Sequence, residues 1–336
     1  MKFKKVIAIM SVLLMLVSSA PSVFATTDET SKLNINQEDM QEQEGLEVLS
    51  KDMETGKEYL EIIPPTLDGK TSDTIPSTVS IHELFDSSPL LANPYALIGN
   101  ENRYEVGAGD VNKYVKSLCY IEATYPKEPN QTYRGTAFVV GNNVLVTAGH
   151  CIYNEERGGY ATSVKVYPQR RDNVMPLGSY TATNLHVTNE FAKGEGGGKL
   201  NNGIGGYYDI GIIRVGSNIA SKTGTCGMSY SDNLQGLAVT VAGYPKMVGN
   251  NLSTYAGIKQ YTMKNSITNV SSIEKDNNKY YIMEYNALDT SGGQSGAPVH
   301  KAGYIAVGVH TDGEKNDKNW GTAFNKIYYD WIRKYI

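Results

Sequence analysis

The stretch TAFVVGNNVLVTAGHC (136–151) holds two short runs of apolar and β-branched residues with Asn142-Asn143 between them. Branched side chains suit a pleated surface, and paired asparagines tolerate the left-handed backbone of a tight hairpin. The reading is two antiparallel strands, the second of which delivers His150 into a turn. The same rhythm recurs along the body in KSLCYIEATY (116–125), SVKVYP (163–168), DIGIIRVG (209–216), LAVTVAGYP (237–245), KYYIMEY (279–285), APVH (297–300) and YIAVGVH (304–310). Lys301-Ala302-Gly303 would turn the last pair. Short strands separated by turn residues predict an all-β sandwich or barrel, not βαβ units. One helix is expected, over NKIYYDWIRKYI (325–336), where Ile327, Trp331 and Tyr335 share a face and Arg333 and Lys334 suit the C-terminal end. It would cap the barrel by burying Trp331. GEGGG (194–198) and NNGIGG (201–206) read as a mobile loop.

The chain has 336 residues, 40% hydrophobic and 20% charged, with 24 tyrosines, a composition that suits β-rich globular structure. MKFKK, the apolar run VIAIMSVLLMLV and the small residues SSAPSVFA form the three parts of a secretory signal, with cleavage expected after Ala25. The apolar run is too short for a spanning helix, so no membrane association is expected after cleavage. Residues 26–95 carry a net charge of −11 and residues 96–336 a net of +4. An acidic stretch of this kind is a linker or a pro-segment. Its apolar patches YLEII (59–63) and VSIHELF (79–85) favour a pro-segment that docks on the body. No Lys/Arg stripe with interleaved aromatics points to nucleic acid. Cys119, Cys151 and Cys226 are an odd number for an exported chain, and the simplest arithmetic is one disulfide plus one free thiol. No Cys/His spacing suggests a metal site, and no cofactor is expected.

Three further features carry chemistry. His150 ends TAGHC (147–151), Asp209 opens an apolar strand in YYDIGIIRV (207–215), and Ser295 sits in the glycine-rich DTSGGQSGAPVH (289–300). A serine hydroxyl is a poor nucleophile until a base takes its proton, and imidazole titrates near neutrality. A carboxylate can fix the imidazole tautomer and stabilise the imidazolium as it forms. Glycines leave backbone N–H groups bare, so those of Gly293 and Ser295 can converge on a developing oxyanion. The chain order His, Asp, Ser fits a relay of these three groups.

Together, TAGHC, the Asp-led strand and GGQSGAP resemble the chymotrypsin-fold serine proteases, and DTSGGQSGAP resembles their bacterial glutamyl endopeptidase branch. ALIGNENR (96–103) is similar to the mature N-terminus of that branch, which places the end of the pro-segment near Tyr95. The resemblance implies two six-stranded antiparallel β-barrels with a C-terminal helix. The expected organisation is a signal peptide (1–25), an acidic pro-segment (26–95), an N-terminal barrel with His150 and Asp209 (96–231) and a C-terminal barrel with Ser295 (232–336). It also implies a secreted, monomeric zymogen acting on polypeptides. Many relatives carry a cysteine at the place of Gly135, bonded to the one after the histidine, so the pairing of Cys151 stays open here.

Asp289, six residues before Ser295, stands where trypsin-like enzymes carry the aspartate that selects Lys and Arg. Against it, the branch uses a histidine at the place of His310 and a hydroxyl at the place of Thr290 to contact a substrate carboxylate. Both groups can donate to a carboxylate, and neither helps a cation. The expectation is cleavage after Glu, with Asp slower. The alternatives are a trypsin-like protease using Asp289, or an inactive binding protein on the protease scaffold. The branch also uses the freed N-terminal amine near the pocket. Trypsin-like zymogens pair that amine with an aspartate just before the serine, where this chain has Gln294. His82, His186 and His300 have no assigned role.

Overall fold

The computed structural model describes residues 45–65, 70–79, 101–194, 205–249, 252–314 and 318–336. The leader, the region around Tyr95 with His82, and most of the glycine-rich loop lie outside the described residues. The structure is built almost entirely of strands. In the first half these are β5 (Leu118–Tyr125), β6 (Glu128–Gly141), β7 (Val144–Thr147), β10 (Ser163–Pro168), β11 (Tyr180–Thr188) and β12 (Gly211–Val215). They pair in the order β10-β5-β6-β7-β12-β11, and a β10–β11 pairing closes the ring. This is a closed six-stranded barrel. The hairpin read from Asn142-Asn143 joins β6 to β7, with Val139 opposite Leu145. A two-stranded ribbon, β8 (Tyr153–Asn154) and β9 (Gly159–Tyr160), leaves the barrel just after His150.

The second half contains β13 (Gly227–Ser231), β14 (Ala238–Gly243), β17 (Tyr261–Ser266), β18 (Asn269–Lys275), β19 (Asn278–Tyr285), β20 (Pro298–Lys301), β21 (Ile305–Glu314) and β22 (Lys318–Ala323), with a small ribbon of β15 (Met247–Val248) and β16 (Thr254–Tyr255). The main ladder runs β18-β19-β22-β21-β20-β14-β17-β4, where β4 (Tyr104–Glu105) comes from the N-terminal side. No pairing among the described residues closes this sheet. Consecutive strands β17 and β18 do not pair with each other: β18 turns to β19, while β17 takes β14 and β4. β13 pairs in parallel with β21, so residues 227–231 belong with the second sheet and not the first barrel.

The C-terminal helix spans Lys326–Arg333. Asn325 caps it by accepting from Tyr328 N at 2.9 Å, which satisfies one of the bare N–H groups of the first turn. Trp331 is fully buried and Ile327 nearly so, as the four-residue spacing requires.

Three strands from the acidic stretch join the body. β1 (Leu46–Asp52) adds to β11, with Val48 opposite Thr188, and β2 (Glu58–Ile63) adds to β1. β3 (Ser72–Ile75) pairs with β13 of the second sheet. The alternation of β1 places Leu46, Val48 and Ser50 in the interior, and Ile63 of β2 is buried beside them. Ser50 meets buried His186 at 2.7 Å, and Glu61 accepts from Lys334 and Tyr335 just beyond the C-terminal helix.

All three cysteines are buried and free, which corrects the expected disulfide. The folding topology separates them. Cys119 lies in β5, Cys151 follows β7 and Cys226 precedes β13, each against its own backbone carbonyls. Burial pushes the Cys119 and Cys226 thiols far up, away from the reactive thiolate. A Cβ at Gly135 would lie 3.0 Å from Cys151 Sγ, so the missing partner is the residue at position 135.

Candidate active site

β7 and β12 are neighbours in the barrel, with Thr147 opposite Gly211. That register sets the turn after β7 beside the residues just before β12. His150, in a short 3-10 turn over Gly149–Cys151, meets Asp209 twice. Its Nδ1 lies 2.7 Å from Asp209 Oδ2, and its backbone N–H donates to Asp209 Oδ1 at 2.9 Å. Asp209 is 7% exposed, whereas the His150 side chain keeps 37% of its surface open. Desolvation alone would lower the His150 pKa. The charge of Asp209, with Cys151 and the Asp209 hydrogen bond, outweighs it and holds the imidazole well above 6.5. Nδ1–H facing a carboxylate leaves Nε2 as the basic nitrogen.

The Ser295 turn packs onto this same strand end. Ser295 carbonyl accepts from Thr136 N at 2.8 Å and from Cys151 Sγ at 3.5 Å. Gly296 (φ +88°) is forced to be glycine, because a Cβ there would sit 2.0 Å from Thr136 O. Gly293 (φ +98°) has no room for a Cβ either, 2.5 Å from Tyr244 O. Neither Gly293 N–H nor Ser295 N–H has an acceptor among the described residues, so both donors remain available. The Ser295 hydroxyl donates to Thr311 O at 3.4 Å and makes no hydrogen bond to His150. Hydroxyl rotors and catalytic hydrogen bonds adjust as substrate arrives.

His310 lies on β21, 2% exposed. Its Nδ1 is 3.0 Å from Trp320 O and 2.6 Å from Tyr285 Oη, while Tyr285 Oη donates to Trp320 O at 2.8 Å. A carbonyl cannot donate, so Nδ1 carries the ring proton and Nε2 is left with its lone pair and no partner. Burial, the largest influence, lowers the His310 pKa to about 3. Tyr285, Trp320 and Asn319 support this pocket, and no local signal in the sequence singles them out. Thr290 has an internal partner. Its hydroxyl proton is spent on Asn319 Oδ1 at 2.6 Å, and Asn319 Nδ2 is fixed by Leu288 O.

Asp289 is fully buried and accepts Asn102 N at 3.0 Å. Burial raises its pKa to about 7. It faces the chain's own segment at Asn102 instead of an open pocket. His186 and His300 are buried structural residues, and burial lowers each pKa to about 4. Among the described residues no group of three or more His, Cys, Asp or Glu side chains could hold a metal.

The family model described as trypsin-like peptidase domain matches residues 135–309. A Bacillus subtilis (strain 168) protein named extracellular metalloprotease is 29% identical over 249 residues, 70% of each chain. A glutamyl endopeptidase of Bacillus licheniformis is 29% identical over 238 residues, 67% of this chain and 66% of that one. Among solved structures, a Glu endopeptidase in complex with MPD matches with a TM-score of 0.55 at 24% identity, covering 71% of this chain and 98% of that chain.

Proposed function

The chain belongs to the trypsin-like peptidase family and is a serine endopeptidase, and we propose that it is an exported zymogen cutting polypeptides after Glu, more slowly after Asp. In this reading His150 Nε2 takes the proton of Ser295 as Oγ attacks the scissile carbonyl. Asp209 holds the imidazole and balances the imidazolium. The N–H groups of Gly293 and Ser295 receive the oxyanion, each worth about 3 kcal/mol. His150 then passes its proton to the leaving amine, and water repeats the sequence to release the acyl group.

The observation that carries the Glu preference is His310. A buried imidazole held through Nδ1 leaves Nε2 for the substrate, and once protonated it donates to a carboxylate and repels a lysine or arginine. In its neutral form that nitrogen only accepts, so a substrate carboxylate engages it together with a proton. Binding of a Glu substrate therefore takes up a proton, with the freed N-terminal amine as the second positive group. The buried, occupied Asp289 argues against the trypsin-like alternative. Thr290 can serve the substrate only by releasing Asn319. The docking of β1, β2 and β3 on the two sheets supports a pro-segment. The signal-like leader, and a Bacillus subtilis relative named extracellular metalloprotease, support export. We take the mature enzyme to be a monomer.

Cleavage mapping on a peptide library tests the reading. Cuts after Glu, with apparent affinity falling as pH rises above neutrality, are expected; cuts confined to Lys and Arg would overturn it.

A further inference from the structure

Gln294, immediately before Ser295, is fully buried. Its Oε1 accepts Arg103 Nη1 at 2.7 Å and Ser291 N at 3.0 Å, while its Nε2 has no partner. Arg103 is only 5% exposed, and its donors are spread across the same turn and its neighbours. Nη1 also reaches Ser291 Oγ at 3.2 Å, and Nη2 reaches Met247 O at 3.0 Å. Nε and Nη2 each donate to Glu101 at 2.7 Å, and Glu101 Oε2 accepts Gly249 N at 2.8 Å. Asn102 N, between them, donates to Asp289. Three consecutive residues thus thread beneath the 289–295 turn. A buried guanidinium is tolerated when a carboxylate and fixed acceptors satisfy it, and its rigid fork sets geometry better than an ammonium.

We infer that Arg103 is a positioning residue for the oxyanion turn, anchoring Gln294 so that the N–H groups of Gly293 and Ser295 on either side point into one site. The inference rests on the reading of Ser295 as nucleophile. The Ser295 N–H lies in the peptide unit that follows Gln294, and the Gly293 N–H lies in the 292–293 unit between Ser291 and Gln294; Arg103 Nη1 donates to both of those side chains and so brackets both donors. The contact is made by a side chain and is present in a chain that still carries residues 46–79. The Arg103 anchor therefore holds the turn without a free N-terminus.

The test uses the secreted full chain, labelled at Ser295 by a small fluorophosphonate and read by intact mass, with kcat and KM on a Glu peptide after maturation. Arg103→Gln should slow labelling and lower kcat by roughly ten- to a hundredfold, with KM little changed. Arg103→Lys should recover part of the loss. Because Arg103→Gln removes the buried cation beside Glu101 and can impair folding, Gln294→Met is the second arm. It keeps the Arg103–Glu101 pair and should show the same kcat loss without loss of folded protein. Wild-type labelling rates in both Arg103→Gln and Gln294→Met, or a defect confined to KM, would overturn the inference alone. A matured wild-type enzyme that takes no label at Ser295 would overturn the nucleophile reading and the inference with it.

Discussion

Two stretches on the N-terminal side of the body meet it in opposite ways. Strands within residues 46–63 and 72–75 add to the body, β1 on the end of β11 that β10 does not pair and β3 on β13, and bury Leu46, Val48 and Ile63 against the core. Residues 101–103 enter the interior and bond to the turn that carries Ser295. Edge addition is held by main-chain hydrogen bonds and apolar area, so it supports the fold and can be undone without moving the reacting groups. A guanidinium placed under a catalytic turn adds little area but sets the direction of two donors. The first stretch should therefore govern stability, and the second should govern rate.

The sharpest benchmark is at the site itself. Asp209→Asn should lower kcat by about 10⁴-fold while the thermal midpoint hardly moves. It should also shift the acid limb of kcat/KM, held above 6.5 by Asp209, toward lower pH, because the neutral imidazole is the active form. At the strap, Leu46→Ala should cost about 2–5 kcal/mol in denaturant unfolding, with kcat per folded molecule unchanged. A rate loss there as large as the stability loss would erase the distinction.

Acid should loosen the strap next. His186 lies under β1, facing Ser50, Glu61 and the Tyr335 ring, with Arg214 and Lys334 nearby. Its folded pKa of about 4 is below the unfolded 6.5, so the native state holds it neutral. Stability from this group is complete above 6.5 and is lost as pH falls toward 4, by about 3 kcal/mol at most. Unfolding measured from pH 7 to pH 4.5, compared with His186→Gln, checks this; an unchanged slope in the variant would exclude His186 as the cause. The smallest effect concerns neither stretch and calibrates both. Gly135→Cys should bond to Cys151, removing two hydrogens by mass and adding up to about 3 kcal/mol for its short loop. Free thiols in that variant would show that the crowding by Ile121 prevents closure.

Much of the site was legible because its signals are local. TAGHC marks a strand end, Asp209 opens an apolar strand, and the glycines around Ser295 mark a turn where side chains cannot fit. The strand rhythm likewise announced an all-β sandwich or barrel, and the spacing of Ile327 and Trp331 announced a helix with a buried face. The internal partners of Thr290 and Asp289, Asn319 and Asn102, were not legible because they lie 29 and 187 residues away in sequence. The disulfide arithmetic failed for a related reason, since counting thiols says nothing about which strands become neighbours.

Chain order and residue type by themselves determined a β-rich body and named the imidazole, carboxylate and hydroxyl that could work together, because those properties depend on a few adjacent residues. Tertiary structure alone decided that Arg103 holds Gln294, that the acidic stretch completes two sheet edges, and that His310 presents only one nitrogen. Each of these is a pairing between segments far apart in the chain, and hydrogen-bond partners at that range are chosen by how strands register and stack, which no short window of sequence contains.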